Sequence, residues 1–184
     1  FDGIDQDCDG FDSEDYLLAE DLVEGDLLIT EIMQNPSALA DADGEYFELL
    51  NLSSVVTYDL SSCVVRDDGT DSHTISSPLL LPVQSRIVLS SGASPGFVPA
   101  YQISGLVLAN GADELILECA GVVIDRVDYD GGTLFPNPDG ASMNLSSTTE
   151  DAVSNDVGSN WCTTTATFSS GDRGPPGTTN ETCP

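Results

Sequence analysis

From Gly25 onward the chain runs as short, β-branched stretches broken by turn residues, and that rhythm leaves few folds open. LLITEIMQN, EYFELLNLS, VVTYDLSSCVVRD, SHTISS, SRIVLSS, LVLAN, DELILECAG and VVIDRVDYD follow one another with partial alternation of apolar and polar residues. Between them stand clusters such as Asp67-Asp68-Gly69, Ala93-Ser94-Pro95-Gly96 and Asn110-Gly111, whose side chains and backbone freedom favour turns over extended pairing. Short strands with turn signals roughly every 8–12 residues predict an all-β sandwich or small barrel. The pair DELILEC and VVIDRVDY predicts a hairpin turning at Ala120-Gly121. Beyond Gly131 the chain reads as loop, rich in Pro, Gly, Ser and Thr, as far as Cys183. A terminal stretch of that kind needs pinning, and Cys162 with Cys183 could do it.

Three stretches differ in character. Residues 1–15 are almost all Asp, Gly and polar. Residues 16–25, YLLAEDLVEG, read either as an extended linker or as a short helix with Leu17, Leu18, Leu22 and Val23 on one side. Residues 26–184 carry the strand pattern. The 184 residues fit one sizeable domain plus an extension, or two small units, and a 40% hydrophobic content is enough for a packed core.

Charge narrows the function classes. The chain holds 32 Asp and Glu against four arginines and no lysine, a formal net charge of −28. Such a chain repels itself unless salt or bound cations screen it, so saline adaptation and divalent-cation binding are both expected contributors. Nucleic acid is excluded as a partner, because phosphate contacts need clustered Lys and Arg. Anionic membrane surfaces would repel the chain, and no apolar run approaches the ~18–20 residues of a span, so no membrane insertion is expected. Five scattered cysteines without a CxxC pair, together with abundant Ser, Thr, Gly and Asp, point to an oxidising, extracellular setting. Phe1 is read as a processed or truncated start, and export is inferred from composition.

The most specific chemical motif is an aspartate ladder, Asp5-x-Asp7-x-Asp9-Gly10-Phe11-Asp12-Ser13-Glu14-Asp15. Calcium is a hard cation that takes six to eight oxygens at about 2.3–2.6 Å. Alternating Asp5, Asp7 and Asp9 can put three carboxylates on one side of a tight loop, and Gly10 permits the turn. The Phe11 carbonyl then adds a ligand, with Asp12 and Asp15 closing the shell. An EF-hand would place a closing Glu at its twelfth position. Counted from Asp5 that position is Tyr16, so this is not an EF-hand. A second cluster, Asp41, Asp43 and Glu45, followed by Glu48, has the same alternation. It is a candidate calcium site, although an Asp-Gly turn between strands explains Asp43-Gly44 by backbone chemistry alone.

FDGIDQDCDGFD resembles the thrombospondin type 3 repeat and, more closely, the DGIDNDCDG-like metal-binding repeats of bacterial surface proteins, which implies calcium as the ligand. Residues 26 to about 183 resemble the lamin tail domain as it occurs in bacterial exported proteins. The matching residues are Leu28-Ile29-Thr30-Glu31-Ile32-Met33-Gln34-Asn35-Pro36, Glu45-Tyr46-Phe47-Glu48-Leu49-Leu50-Asn51, Tyr58-Asp59-Leu60-Ser61, Ala141-Ser142-Met143-Asn144-Leu145, Asn160-Trp161-Cys162 and the run from Gly171 to Asn180. This resemblance implies an immunoglobulin-like β-sandwich and brings no catalytic residues with it. Cys63 lies where many members of the family have a buried aromatic. Within that fold a Cys63–Cys119 bridge across the sandwich is the first expected disulfide and Cys162–Cys183 the second. Cys8 is then odd, free or paired with another chain.

Catalysis is not expected. The single histidine, His73, has no nucleophile elbow or oxyanion-type motif beside it, and a local hydrogen bond at a strand edge accounts for it. Acids are too numerous for any pair to stand out as a glycosidase site, and no phosphate-binding loop is present. The Asn-x-Ser/Thr sequons at Asn51, Asn144 and Asn180 arise readily by chance in a Ser/Thr-rich chain. The leading expectation is therefore a secreted, bacterial, calcium-binding structural or adhesive module of the cell surface. It could be a filament or sheath subunit with its own copies as neighbours. The alternative is an accessory substrate-binding domain of a larger secreted hydrolase, which no row of exposed aromatics supports.

Overall fold

The computed structural model describes residues 16–184. The ladder residues Asp5, Asp7, Asp9, Phe11, Asp12 and Asp15, and Cys8, lie outside the described residues.

The strand-rich reading holds, and the strands form three sheets. The largest has six strands: β2 (Leu27–Met33), β3 (Tyr46–Asn51), β8 (Arg86–Ser90), β9 (Tyr101–Gln102), β12 (Met143–Leu145) and β13 (Trp161–Thr163), in the order β13-β12-β2-β3-β8-β9. A four-stranded sheet contains β5 (Val64–Arg66), β6 (Ser72–Thr74), β10 (Ala112–Cys119) and β11 (Val122–Asp130), in the order β11-β10-β5-β6. A small third sheet pairs β1 (Tyr16–Leu17) and β7 (Leu80–Leu81) with the two sides of β4 (Thr57–Asp59). Between β2 and β3 lies one helical turn, α1 (Asp41–Gly44).

The core fills the space between the sheets. Leu27, Ile29, Ile32, Phe47, Leu49, Leu89, Met143 and Leu145 of the six-stranded sheet meet Val65, Leu115, Leu117, Ile124, Val127 and Tyr129 of the four-stranded one. Each fully buried Leu, Ile or Phe contributes roughly 1.5–3 kcal/mol relative to exposure, and this packing is the main stabilising term. Two bulges explain why alternation in the sequence is only partial. The β2–β3 register shifts between Ile29 and Glu31, so Ile29 and Ile32 both face the core although three residues apart. The β10–β11 register shifts between Leu117 and Glu118, which brings Ile124 and Val127 inward in the same way.

The β10–β11 hairpin turns at Ala120-Gly121 as the sequence predicts. Both residues have positive φ, 50° and 84°, the conformation of a two-residue turn matched to strand twist. Alanine is a poor residue there because its Cβ crowds the following carbonyl. Ala120→Asn is expected to stabilise the fold by about 1 kcal/mol, read as a higher urea midpoint at unchanged slope.

Three segments differ from the sequence reading. VVTYDLSSCVVRD is not one strand but two, β4 and β5, which join different sheets through the turn at Ser61-Ser62. Leu106–Asn110 contains no strand, although Leu106 and Leu108 are buried, because the Leu108 amide bonds a side chain instead of a ladder. Residues 16–25 form β1 and a 3-10 turn at Ala19–Asp21 rather than a helix or a free linker, with Ala19 and Leu22 in the core. Beyond Gly131 the chain is mostly irregular, as expected. Yet Met143–Leu145 enters the main sheet beside β2 and buries all three residues.

Both expected disulfides are present, Cys63–Cys119 and Cys162–Cys183. The first does not cross the sandwich. β5 and β10 are neighbours in one sheet, with Val64 opposite Glu118, so the bridge joins adjacent strands one residue beyond the ladder.

Candidate functional site

The fold brings together a set of acids on the face of the six-stranded sheet that points away from the core. The bulge at Thr30 turns Glu31 outward, directly opposite Glu48 on β3. Both are fully buried, because residues 164–183 fold back over this face as a strap. The strap is held by the Cys162–Cys183 bridge and by hydrogen bonds from Asn180 Nδ2 to the Thr30 and Leu145 carbonyls, at 2.7 and 3.1 Å. Met33, Tyr46 and Val88 pack beneath it against Phe97 and Phe168, with the two phenylalanine rings edge-on to Tyr46.

Hydrogen bonding separates the two glutamates. Glu31 Oε1 accepts from Tyr46 Oη at 2.7 Å and from Ser142 Oγ, whereas its Oε2 is buried without a partner. Both Glu48 oxygens are occupied: Oε1 accepts from Thr30 Oγ1 at 2.8 Å and Oε2 from the Gly177 amide at 2.9 Å, while Arg86 Nε lies 3.2 Å from Oε1 as an ion pair. Arg86 also pairs with Glu150. Burial raises both acids far above the ordinary carboxylate range, Glu31 to about 7 and Glu48 to about 8, and each acts on the other. Arg86 and the Gly177 amide favour charge on Glu48, Tyr46 and Ser142 favour it on Glu31, and the two carboxyls titrate as a pair.

Gly174 closes the cluster. A Cβ there would lie 2.3 Å from Tyr46 Oη and 2.7 Å from Glu31 Oε1, so only glycine lets the strap approach this closely. The cluster thus docks the strap onto the sheet. Asp125 makes a comparable tie from β11. Its Oδ2 accepts from the Ile29 amide at 2.6 Å and from Asn155 Nδ2 at 2.7 Å, and burial pushes its carboxyl up to about 7.

The second acidic cluster does not converge. A 3.6-residue helical turn sets residues two apart on roughly opposite sides, so α1 splits what an extended loop would align. Asp41 and Asp43 point to solvent while Glu45 turns inward. Among the described residues no three His, Cys, Asp or Glu side chains are grouped to hold a metal. Glu45 Oε2 accepts the Leu108 amide at 3.3 Å, and burial, with Asp41 and Asp113 nearby, holds its carboxyl at about 7. His73 lies on edge strand β6, where Nδ1 accepts from the Ser104 amide at 3.1 Å and Nε2 lies 3.3 Å from Tyr101 Oη. The sequon residues Asn51, Asn144 and Asn180 are buried, which closes them to modification in the folded chain.

Sequence reasoning passed over Glu31, Asp125, Arg86 and Ser142. A signal for the first existed. LLITEIM and YFELL are apolar on both faces of a strand, which marks a strand covered on both sides. An acid inside such a run must be buried.

Two packed, mainly antiparallel sheets, one outer face closed by a C-terminal strap, define an immunoglobulin-like β-sandwich module. The family profile of the Lamin Tail Domain matches residues 22–131, more than half of the 184, and the chain belongs to that family. The motifs at 141–145, 160–162 and 171–180 lie beyond the matched span, at β12, at the start of β13 and in the strap. No curated protein and no solved structure matches the chain.

Proposed function

We propose that the chain is a non-enzymatic, calcium-binding structural or adhesive module of the bacterial cell exterior, able to assemble with its own copies into a filament or sheath. What carries the reading is the charge ledger. Of only four arginines, Arg66, Arg86 and Arg126 are already committed to ion pairs with Asp68, Glu118, Glu48, Glu150 and Asp128. The remaining carboxylates depend on soluble cations for neutralisation, and the ladder Asp5, Asp7, Asp9, Asp12 and Asp15 is the densest place for them. Two disulfides built from four of the five cysteines support an oxidising compartment. No helix among the described residues is long and apolar enough to cross a membrane.

The junction gives calcium a structural role. β1 begins at Tyr16, directly after Asp15, and pairs in parallel with β4. Ions that order the ladder therefore stiffen the entry into the third sheet. Titrating Ca²⁺ calorimetrically is expected to give saturable heat, weakened at least tenfold by Asp7→Asn with Asp9→Asn. Calcium at a hundredfold excess over its dissociation constant adds about 2.7 kcal/mol to stability. Absence of heat, with melting unchanged by chelator, overturns the reading. Sedimentation with and without chelator then tests assembly.

A further inference from the structure

A groove of about 450 Å³ runs between α1 and the crossing from β9 towards β10. Asp41, Ala42 and Glu45 form one side; Ile103, Leu106 and Val107 form an apolar side; Ser91, Gln102 and Ser104 complete the lining. Glu45 is only 3% exposed. Its Oε2 is taken by the Leu108 amide, and its Oε1 is buried with no donor among the described residues. A carboxylate oxygen removed from water and left without a donor is costly, so a ligand that brings one is favoured.

We propose that this groove receives a lysine side chain from a basic partner segment, its methylenes lying on Ile103, Leu106 and Val107 and its ammonium on Glu45 Oε1. Four observations select that occupant. One side is apolar and Glu45 Oε1 is the buried acceptor that lacks a donor, which suits an alkyl stem ending in a point charge. A guanidinium binds carboxylates best as a fork on two oxygens, and one of the two is already occupied. A metal ion needs converging ligands that the described residues do not supply. The chain contains no lysine, so neither its own fold nor a second copy can supply this side chain. A net charge of −28 further favours a basic partner. These residues are separate from the ladder, so failure here leaves the calcium reading standing.

The test titrates N-acetyl-lysine methylamide into the isotope-labelled full chain at physiological salt, following amide chemical shifts. The expected result is saturable shifts confined to Leu108 and residues 102–107, at least tenfold weaker with the norleucine analogue and with Glu45→Gln. Val107→Lys, which places a tethered ammonium at the rim, is expected to block uptake equally and decides the matter should Glu45→Gln unfold. Shifts spread over the acidic surface and indifferent to Glu45→Gln overturn the proposal, leaving only general attraction. Equal or tighter binding of the arginine analogue, or displacement of the probe by Ca²⁺ at these same amides, overturns it in favour of a guanidinium or a metal.

Discussion

Replacing Cys63 and Cys119 together by alanine is expected to lower the stability of the fold by about 4 kcal/mol. The bridge closes a loop of 56 residues, and chain entropy removed from the unfolded state by such a loop corresponds to about 14 cal/mol/K. Both sulfurs are fully buried in the core, so each alanine also leaves unfilled volume. The Cys162–Cys183 bridge spans 21 residues and is expected to be worth about 3 kcal/mol by the same relation. The two losses differ in kind as well as size. Cys63–Cys119 joins strands at the centre of the sandwich, and its removal lowers the protection of β5 and β10 along with global stability. Cys162–Cys183 anchors the strap, so Cys162→Ala with Cys183→Ala is expected to accelerate amide exchange at residues 174–183 first, while β2, β3 and β8 stay protected. Urea midpoints of the two double variants and residue-level exchange distinguish these outcomes. A loss below about 1 kcal/mol on removing Cys63–Cys119 contradicts the loop-entropy account.

The same contrast shows what the residues announce in advance and what they do not. The hairpin at Ala120-Gly121 is local: a two-residue turn and two β-rich flanks suffice, and the structure agrees. Both cysteine pairings were also reachable, because a sandwich brings distant strands together. That β5 and β10 are neighbours in one sheet depends on long-range topology, which no local pattern encodes. Met143–Leu145 escaped notice because three residues carry too little periodicity to distinguish a strand from a loop. It becomes a strand only because β2 offers an open edge there. The bulges are legible only in retrospect: Ile29 and Ile32 break alternation, and without knowing the partner strand the break looks like a weaker strand. Asp41, Asp43 and Glu45 show a different limit. A single helical turn disperses alternating acids that a tight loop would gather. The ladder at 5–15 rests on the sequence alone.

Titration of the Glu31–Glu48 pair is expected to make the fold weaken as pH rises, the reverse of a chain held by exposed carboxylate salt bridges. Both acids sit above the ordinary glutamate value of 4.5, reaching about 7 and about 8. The folded state therefore binds more protons than the unfolded state between about pH 4.5 and 8, and stability present at the acid end of that window is lost towards the alkaline end. The cause is burial under the strap, with two acids facing each other across neighbouring strands and one arginine between Glu48 and Glu150. Glu31→Gln isolates this contribution. The amide keeps an acceptor for Tyr46 and Ser142, stays neutral at every pH, and removes the second acid facing Glu48. At pH 5, where Glu31 carries its proton, the variant is expected to lie within about 1 kcal/mol of the parent. At pH 9 it is expected to be more stable by about 2 kcal/mol, since one pKa unit corresponds to about 1.4 kcal/mol and the coupled pair yields only part of its nominal shift. Glu45 and Asp125, each pushed up to about 7 by burial, titrate in both proteins and keep a residual slope in the variant. Urea unfolding from pH 5 to 9 measures the difference. If the two stability curves run parallel, burial under the strap does not raise Glu31 and the pH dependence arises elsewhere.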